Sequence, residues 1–276
     1  MKIRAILMDM DGTVLGNSQV AISVRNMEAI QKAIDNGVHV IPCTGRIYDM
    51  LPPQLLTLKG IRYVVSSHGA RAYDCIEKKS LYEDLISPEQ ASELMEILEG
   101  KGLYNEIAAE ETIFFEKKVI DNVDMAVVPE HHVWYVRDNC YTAIEKPSKY
   151  FLENKICLEK MNLYGIPKEL QQEIFDKVTA TGYIQHTRGA AGPNLEFQHA
   201  GMKKLNAVDA ILEKLGVTYE ETFAIGDSSS DLEIIKACGI GVAMGNAPDD
   251  IKQHADYVTG LNTEDGFAQA VEKFVL

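Results

Sequence analysis

Long apolar segments are missing from this sequence of 276 residues. No run of about 18 apolar residues occurs, so we predict no membrane-spanning helix. Lys2 and Arg4 precede a short apolar run that ends in acidic residues. This start lacks the longer apolar region and the small-residue cleavage site of a signal peptide. Together these absences favour a cytoplasmic protein.

Basic residues are scarce compared with acidic ones. The chain has 27 Lys and Arg residues against 41 Asp and Glu residues, which gives a formal net charge of -14. A surface of this sign repels nucleic acids and anionic membranes, so we expect neither as a partner. A small anionic substrate can still bind in a locally basic pocket. We expect a monomer or a weak homodimer.

Paired cysteines are also missing. The five cysteines are odd in number, and no two of them have C-x-x-C spacing. We therefore predict free, mostly buried thiols in a reducing compartment rather than disulfides or a zinc site. These residues are Cys43, Cys75, Cys140, Cys157 and Cys238.

The two ends of the chain alternate between buried strands and amphipathic helices. Residues 3–8 form a continuous apolar run, as expected of a parallel strand buried on both faces. Residues 24–36 have apolar side chains at helical spacing, and further buried strands are predicted over 38–43 and 62–66. The alternation returns after Phe197. It predicts an α/β fold with a Rossmann-like parallel sheet.

The middle of the chain has a different pattern. A hairpin is predicted over 72–83, and Ser87-Pro88 is typical of a helix start. Shorter strands follow, one of them predicted over 132–136. We predict that residues 84–187 form an inserted α+β domain, and that residues 1–83 and 188–276 form the core.

Two acidic residues, Asp9 and Asp11, follow the first buried strand. Ligands of doubly wound sheets bind beyond the carboxyl ends of strands. Mg²⁺ prefers one or two carboxylates together with phosphate oxygens, so this pair predicts a metal site with a nucleophilic aspartate. A simple Asp-Gly turn is an alternative interpretation. An EF-hand is disfavoured because Thr13 stands where Asp or Asn is usual and no glutamate closes the loop.

Polar residues also follow the second strand. Thr44-Gly45-Arg46 combines a hydroxyl group, exposed backbone N–H groups and a helix start, which together suit a phosphate group. The alternative is that Thr44 only caps the next helix. Lys203 and Lys204 open a later helix, where cations oppose the helix dipole unless an anion lies nearby. A solvated pair of surface lysines is the alternative there.

A third acidic group follows the strand predicted over 222–225, in Gly226-Asp227-Ser228-Ser229-Ser230-Asp231. Ser228 and Asp231 have the spacing of a capping box. Asp227 is not needed for capping, and it lies where a further metal ligand would be useful. All these groups are predicted at the same edge of one sheet.

With these motifs the sequence resembles the haloacid dehalogenase (HAD) superfamily of aspartate-nucleophile phosphatases, in its Cof-type branch with a C2B cap. The residues that carry the resemblance are Asp9-Met10-Asp11-Gly12-Thr13, Thr44-Gly45-Arg46, Lys204, Gly226-Asp227 with Asp231, and Ala243-Met244-Gly245-Asn246-Ala247. The resemblance implies an α/β HAD fold with a cap that selects the substrate. Two positions depart from the family pattern, because Ser230 and His68 stand where Asn is usual.

The resemblance also assigns roles. Catalysis is expected from Asp9 as nucleophile, Asp11 as acid and base, and Lys204 as the cation that neutralises charge. Phosphate binding is expected from Thr44, Gly45, Arg46 and Asn246. Metal binding, with Mg²⁺ as the cofactor, is expected from Asp9, Asp11, Asp227 and Asp231.

The expected function is a Mg²⁺-dependent phosphohydrolase for a small phosphorylated metabolite, with a sugar phosphate as the favoured substrate class. One alternative is a phosphomutase on hexose phosphates, because the same nucleophile could return the phosphoryl group to a second hydroxyl group. A non-enzymatic module that is phosphorylated on Asp9 or binds metal is the other. Asp11 argues against that module, because such a module needs no acid for a leaving group.

Overall fold

The computed structural model describes residues 2–16, 20–129, 132–188 and 194–276. The chain divides into two compact units. The first unit comprises Met1–Glu83 and Lys203–Leu276, and the second comprises Asp84–Met202. Within the described ranges, none of the helices is long and apolar enough to span a membrane.

The first unit is an α/β domain. Its strands are β1 (Ala5–Met8), β2 (His39–Pro42), β3 (Tyr63–Ser66), β4 (Arg71–Asp74), β5 (Lys79–Glu83), β12 (Thr222–Gly226), β13 (Ile240–Ala243) and β14 (Tyr257–Val258). Its α-helices are α1 (Val24–Asp35), α2 (Pro53–Leu56), α8 (Lys204–Leu215), α9 (Leu232–Ala237), α10 (Asp249–Lys252) and α11 (Gly266–Phe274).

A five-stranded sheet in the order β14-β13-β12-β1-β2 forms the centre of this unit, and every neighbouring pair is parallel. Side chains of β1 are buried on both faces. Ile6 and Met8 pack in the apolar cluster that includes residues of α1 and α11, whereas Leu7 packs in the cluster that includes residues of α8. This two-sided burial explains the continuous apolar run. The predicted α/β class is confirmed.

The strand register brings three loops to the same edge of the sheet. Met8 at the end of β1 lies opposite Pro42 of β2 and Ile225 of β12. The chain therefore leaves all three strands at nearly the same level, and the polar residues that follow them emerge together.

The strand β3 differs from its predicted place in the parallel sheet. It pairs antiparallel with β4, which pairs antiparallel with β5, in a separate three-stranded sheet. An isolated parallel bridge, Cys43 to Val65, connects this sheet to the chain just after β2. The hairpin predicted over 72–83 is present as β4 and β5.

The second unit is an α+β domain. Its strands are β6 (Asn105–Ala109), β7 (Thr112–Glu116), β8 (Thr142–Ile144), β9 (Lys160–Leu163), β10 (Ile184–Arg188) and β11 (Leu195–His199). Its helices are α3 (Pro88–Leu98), α4 (Lys117–Ile120), α5 (Val133–Arg137), α6 (Pro147–Asn154) and α7 (Lys168–Thr181). The strands form one sheet in the order β10-β11-β9-β6-β7-β8, antiparallel except between β7 and β8.

Apolar side chains from the strands of the second unit pack with its helices. Ile107, Met161 and Phe197 are buried in one cluster with Leu94 of α3 and Ile174 of α7. The helix α3 begins as predicted, because Ser87 and Gln90 form a capping box.

Two details of this unit differ from the sequence-based prediction. The segment predicted as a strand over 132–136 is the short helix α5, Val133–Arg137. The predicted domain boundary after residue 187 falls inside β10. That strand pairs with β11, and β11 pairs with β9, so the second unit extends to Met202.

Candidate active site

Asp9 follows β1 directly and is buried, with 8% of its surface exposed. Its amide donates to the Ile225 carbonyl at 3.0 Å, which continues the strand pairing and fixes the residue at the sheet edge. Burial raises the pKa of Asp9 well above its ordinary value, and the neighbouring carboxylates of Asp231 and Asp227 raise it further, while Lys204 opposes them. Such a carboxylate is costly unless a positive charge lies close by.

Asp227 follows β12 and faces the loop after β1. Its Oδ1 atom accepts a hydrogen bond of 3.1 Å from the Thr13 hydroxyl group. Burial and the charge of Asp231 raise the pKa of Asp227 to about 6. Gly12 makes this approach possible, because a Cβ at position 12 would overlap the Asp227 carboxylate. The φ of Gly12 is +78°, a backbone conformation that favours glycine.

Three carboxylates converge at this edge of the sheet. Oxygen atoms of Asp9, Asp227 and Asp231 all lie within 4.8 Å of one another. Crowded, partly desolvated carboxylates repel one another, and a divalent cation bound to their oxygens would offset that repulsion. The donor set therefore fits a hard cation such as Mg²⁺.

Lys204 supplies a positive charge inside the cluster. It is 5% exposed, and its Nζ atom donates to Asp231 Oδ1 at 2.8 Å and to the Cys43 carbonyl at 3.2 Å. Burial alone would lower the pKa of Lys204, but the charges of Asp231 and Asp9 outweigh it and raise the pKa. Lys203, one residue earlier, is exposed. Of the two lysines, the structure brings Lys204 to the site.

Asp231 is held by hydrogen bonds as well as by this ion pair. Its Oδ2 atom accepts from the Ser228 amide at 3.1 Å and from the Ser228 hydroxyl group at 2.9 Å. The bond from the Ser228 amide belongs to the capping box that the sequence indicated, in which the Ser228 side chain also accepts from the Asp231 amide. Both oxygens of Asp231 therefore accept hydrogen bonds, and these contacts orient the carboxylate towards Lys204.

The Asp11 side chain pairs with Arg46, whereas the three clustered carboxylates are those of Asp9, Asp227 and Asp231. Arg46 donates to Asp11 through two parallel hydrogen bonds, from Nε to Oδ2 at 2.8 Å and from Nη2 to Oδ1 at 2.6 Å. The Asp11 side chain is 43% exposed and that of Arg46 is 13% exposed. A guanidinium fork of this kind fixes the orientation of a carboxylate. Asp11 as a metal ligand and Arg46 as a phosphate ligand remain predictions.

The loop after β2 places Thr44 beside the cluster. Thr44 is fully buried, and its Oγ1 atom accepts a hydrogen bond of 3.1 Å from the Arg46 amide. The imidazole ring of His68 occupies the space where a Cβ on Gly45 would lie. Thr44 and Gly45 thus lie at the same sheet edge as Asp9, as the sequence predicted, because the Cys43 amide donates to the Met8 carbonyl at 2.8 Å.

Asn246 supports the loop after β1. Its Nδ2 atom donates to the Gly12 carbonyl at 2.8 Å and lies 3.5 Å from Asp227 Oδ2. Its Oδ1 atom accepts from the Asn262 amide at 3.0 Å. These contacts hold the loop and Asp227 in place, whereas phosphate binding by Asn246 remains a prediction.

Some residues with structural importance for the site were not assigned a role from the sequence. Thr13 positions Asp227, Ser228 positions Asp231, and His68 packs against Gly45. The capping-box spacing was the signal for Ser228, and the departure from the family pattern was the signal for His68. Thr13 lies in the first motif, but its partner depends on how two distant loops meet.

The chain belongs to the haloacid dehalogenase-like hydrolases. A family model with that description matches residues 6–271, which is most of the chain. Combined with the fold and the curated relatives, this match confirms the predicted class, a HAD-superfamily phosphatase of the Cof type.

Three known proteins illustrate the similarity. The chain is 30% identical to the 5-amino-6-(5-phospho-D-ribitylamino)uracil phosphatase YcsE of Bacillus subtilis, covering 99% of this chain and 96% of YcsE. A crystal structure of a haloacid dehalogenase-like hydrolase from Bacteroides thetaiotaomicron has a TM-score of 0.81 at 27% identity and covers 99% of both chains. The HAD subclass IIB sugar phosphatase BT4131 shares the fold, with a TM-score of 0.74 at 24% identity and 98% of both chains covered.

Proposed function

We propose that the protein is a Mg²⁺-dependent phosphohydrolase that acts on a small phosphorylated metabolite through an aspartyl-phosphate on Asp9. The observation that supports this most strongly is the buried Asp9 carboxylate, which shares one site with Lys204 and Asp227. A nucleophilic carboxylate and the cations that neutralise phosphate are the two requirements of this chemistry.

Asp9 and Asp227 would hold the metal ion, and Asp231 would complete or orient the site. A bound Mg²⁺ supplies charge stabilisation to the phosphate oxygens and keeps Asp9 ionised. Lys204 and the Thr44 hydroxyl group would bind the remaining phosphate oxygens. Both side chains are buried, so their orientation is set before the substrate arrives.

In the first step an oxygen of Asp9 attacks phosphorus. A bond forms between Asp9 and phosphorus, and the bond from phosphorus to the leaving-group oxygen breaks. Asp11 gives a proton to that oxygen, so the alcohol leaves uncharged. Asp11 acts in its protonated form in this step, whereas its pair with Arg46 orients the ionised carboxylate that accepts a proton in the second step.

In the second step water attacks the same phosphorus atom. Asp11 accepts a proton from the water, the bond from Asp9 to phosphorus breaks, and inorganic phosphate is released with Asp9 restored. The two steps return every group of the protein to its initial state.

Two considerations support a proposal for the substrate class. The second unit, Asp84–Met202, is the part of the chain that would select the leaving group. The relative YcsE is named for a substrate whose phosphate is on a D-ribityl chain. We propose that the substrate of this chain carries its phosphate on a polyhydroxylated carbon chain, either a sugar phosphate or a phosphorylated sugar alcohol.

A phosphatase screen tests the proposal. Purified protein is incubated with sugar phosphates, phosphorylated ribityl compounds, nucleotides and phosphorylated cofactors, and inorganic phosphate is measured with Mg²⁺ or with EDTA. We expect Mg²⁺-dependent release, highest for the polyhydroxylated esters. Isomerised hexose phosphate without release would favour a mutase. A stable phosphoprotein without turnover would favour a non-enzymatic module.

A further inference from the structure

Two consecutive residues next to the phosphate loop have left-handed backbone conformations. Ser67 has a φ of 48° and His68 a φ of 60°. Residues other than glycine adopt this region at an energetic cost, and such residues persist only where the surrounding structure holds them. Strain of this kind is concentrated at functional sites, so we expect Ser67 and His68 to have a functional role.

Hydrogen bonds tie both strained residues to the loop after β2. The His68 amide donates to the Thr44 carbonyl at 3.0 Å, and the Ser67 amide donates to the Arg46 carbonyl at 2.9 Å. Between these two bonds the imidazole ring packs on Gly45, in the space that a Cβ there would fill. The loop is therefore held at both ends by backbone and in the middle by the ring.

The same segment also meets the start of α8. Gly69 has a φ of 109°, and a Cβ on it would lie only 2.5 Å from the Lys204 Cα atom. Three successive residues therefore contact the Thr44–Arg46 loop and the backbone of Lys204. The separation between these two groups depends on the segment that lies between them.

We propose that His68 is a positioning residue, whose imidazole ring packs on Gly45 and sets the distance between Thr44 and Lys204. The proposal rests on the proposed function, in which these two residues bind the phosphoryl group. Arg46, which pairs with Asp11, lies in the same loop, so a shift of the loop would also move the proposed acid.

Four variants test this positioning role: His68→Gly, Gly45→Ala, their combination, and Lys78→Gly as the control. Glycine adopts the left-handed backbone at position 68 without strain and removes the whole side chain, including the ring. Lys78 also has a positive φ, of 51°, but it lies exposed in the turn between β4 and β5. Turnover and KM are measured with p-nitrophenyl phosphate and Mg²⁺, and unfolding is followed in urea.

We expect His68→Gly to fold cooperatively and to lose roughly tenfold or more in kcat, because small displacements of positioned groups are costly. Lys78→Gly should keep the wild-type kcat. Gly45→Ala should lower kcat at least about threefold more in the wild-type background than in the His68→Gly background, because the added methyl group has room once the ring is removed. Wild-type kcat in His68→Gly, or additive effects of the two substitutions, would overturn the proposal.

Failure of the proposed function gives a different result. If the wild-type protein hydrolyses no ester, the phosphatase proposal fails, and the same four variants are compared by urea unfolding and by titration with inorganic phosphate and Mg²⁺. Non-additive stabilities together with weaker phosphate binding in His68→Gly would support the positioning role. Additive stabilities, or equal phosphate binding, would overturn it.

Discussion

Arg46 holds the carboxylate of Asp11 in a two-pronged ion pair, with N–O distances of 2.8 and 2.6 Å. The proposed acid and base is thereby oriented by a residue of the neighbouring loop. The Arg46 Nη1 atom donates to the Met50 carbonyl at 3.1 Å, which anchors the guanidinium group. The role of the planar Arg46 guanidinium group can be tested by replacing arginine with lysine, whose ammonium group is a point charge.

Arg46→Lys should keep the positive charge and lose the paired hydrogen bonds, because an ammonium group cannot present two parallel N–H donors. We expect kcat to fall about tenfold or more, because small displacements of positioned groups are costly. Arg25→Lys is the matched control, since Arg25 makes a similar fork with Glu272 on the surface. Equal kcat in Arg46→Lys and the wild type would contradict the role assigned to the pair.

Lys204→Ala should be much more damaging than Lys203→Ala. Removing Lys204 leaves Asp231 buried without its ion-pair partner, which costs on the order of 3–5 kcal/mol in unfolding free energy. It also removes a cation from the phosphate site, so we expect kcat to fall about 10²- to 10³-fold. Lys203 is exposed and should matter little. Urea unfolding and steady-state kinetics of both variants provide the comparison, and the opposite ranking would transfer the role to Lys203.

Metal binding should stabilise the protein more at neutral than at acidic pH. The pKa of Asp227 is raised from 3.8 to about 6, so its carboxyl group binds a proton more tightly in the folded than in the unfolded chain. The proton on Asp227 therefore stabilises the folded, metal-free protein. This stabilisation is fully present below the pKa of the unfolded state and is lost as the pH rises through about 6. Mg²⁺ requires the deprotonated form.

Thermal unfolding with Mg²⁺ and with EDTA, at about pH 5 and about pH 7.5, measures this linkage. We expect a larger Mg²⁺-dependent rise in Tm at the higher pH. Asp227→Asn should lose most of that rise, whereas Asp250→Asn, at an exposed position in α10, should keep it. A rise that is independent of pH and of Asp227 would argue against this residue as a ligand.

Gly12→Ala should displace Asp227. The added methyl group would overlap the Asp227 carboxylate, and the φ of +78° is unfavourable for alanine by about 1–2 kcal/mol. We expect a loss of at least this size in unfolding free energy and a drop in kcat of about tenfold or more. At Gly16 the nearest atom to an added Cβ is the Asn262 carbonyl oxygen at 3.8 Å, so Gly16→Ala serves as the control. Similar behaviour of the two variants would show that the close approach at Gly12 is unimportant.

The sheet edge could be predicted from the sequence because it depends on local patterns. An apolar run precedes Asp9, another precedes Asp227, and each run predicts a buried strand. Parallel pairing of the two strands then places Asp9 and Asp227 at the same edge of the sheet. The capping signals of α3 and of the Ser228–Asp231 turn are equally local. These features needed no knowledge of distant contacts.

Features that depend on long-range pairing could not be predicted in the same way. The extent of the second unit is set by β11, which pairs antiparallel with β9 and β10, and no local signal marks that choice. The direction of the Asp11 side chain depends on Arg46, 35 residues later. The short apolar segment over 132–136 fits either a strand or a short helix, so periodicity alone could not identify α5.

The central claim is that Asp9 carries the phosphoryl group during turnover. The direct measurement is mass spectrometry of the protein quenched in acid while it hydrolyses a substrate with Mg²⁺, followed by mapping of the phosphorylated peptide. We expect a phosphoryl adduct on Asp9, and we expect Asp9→Asn to fold, to form no adduct and to have no detectable turnover. Substantial turnover by Asp9→Asn, or an adduct on another residue during hydrolysis, would contradict it.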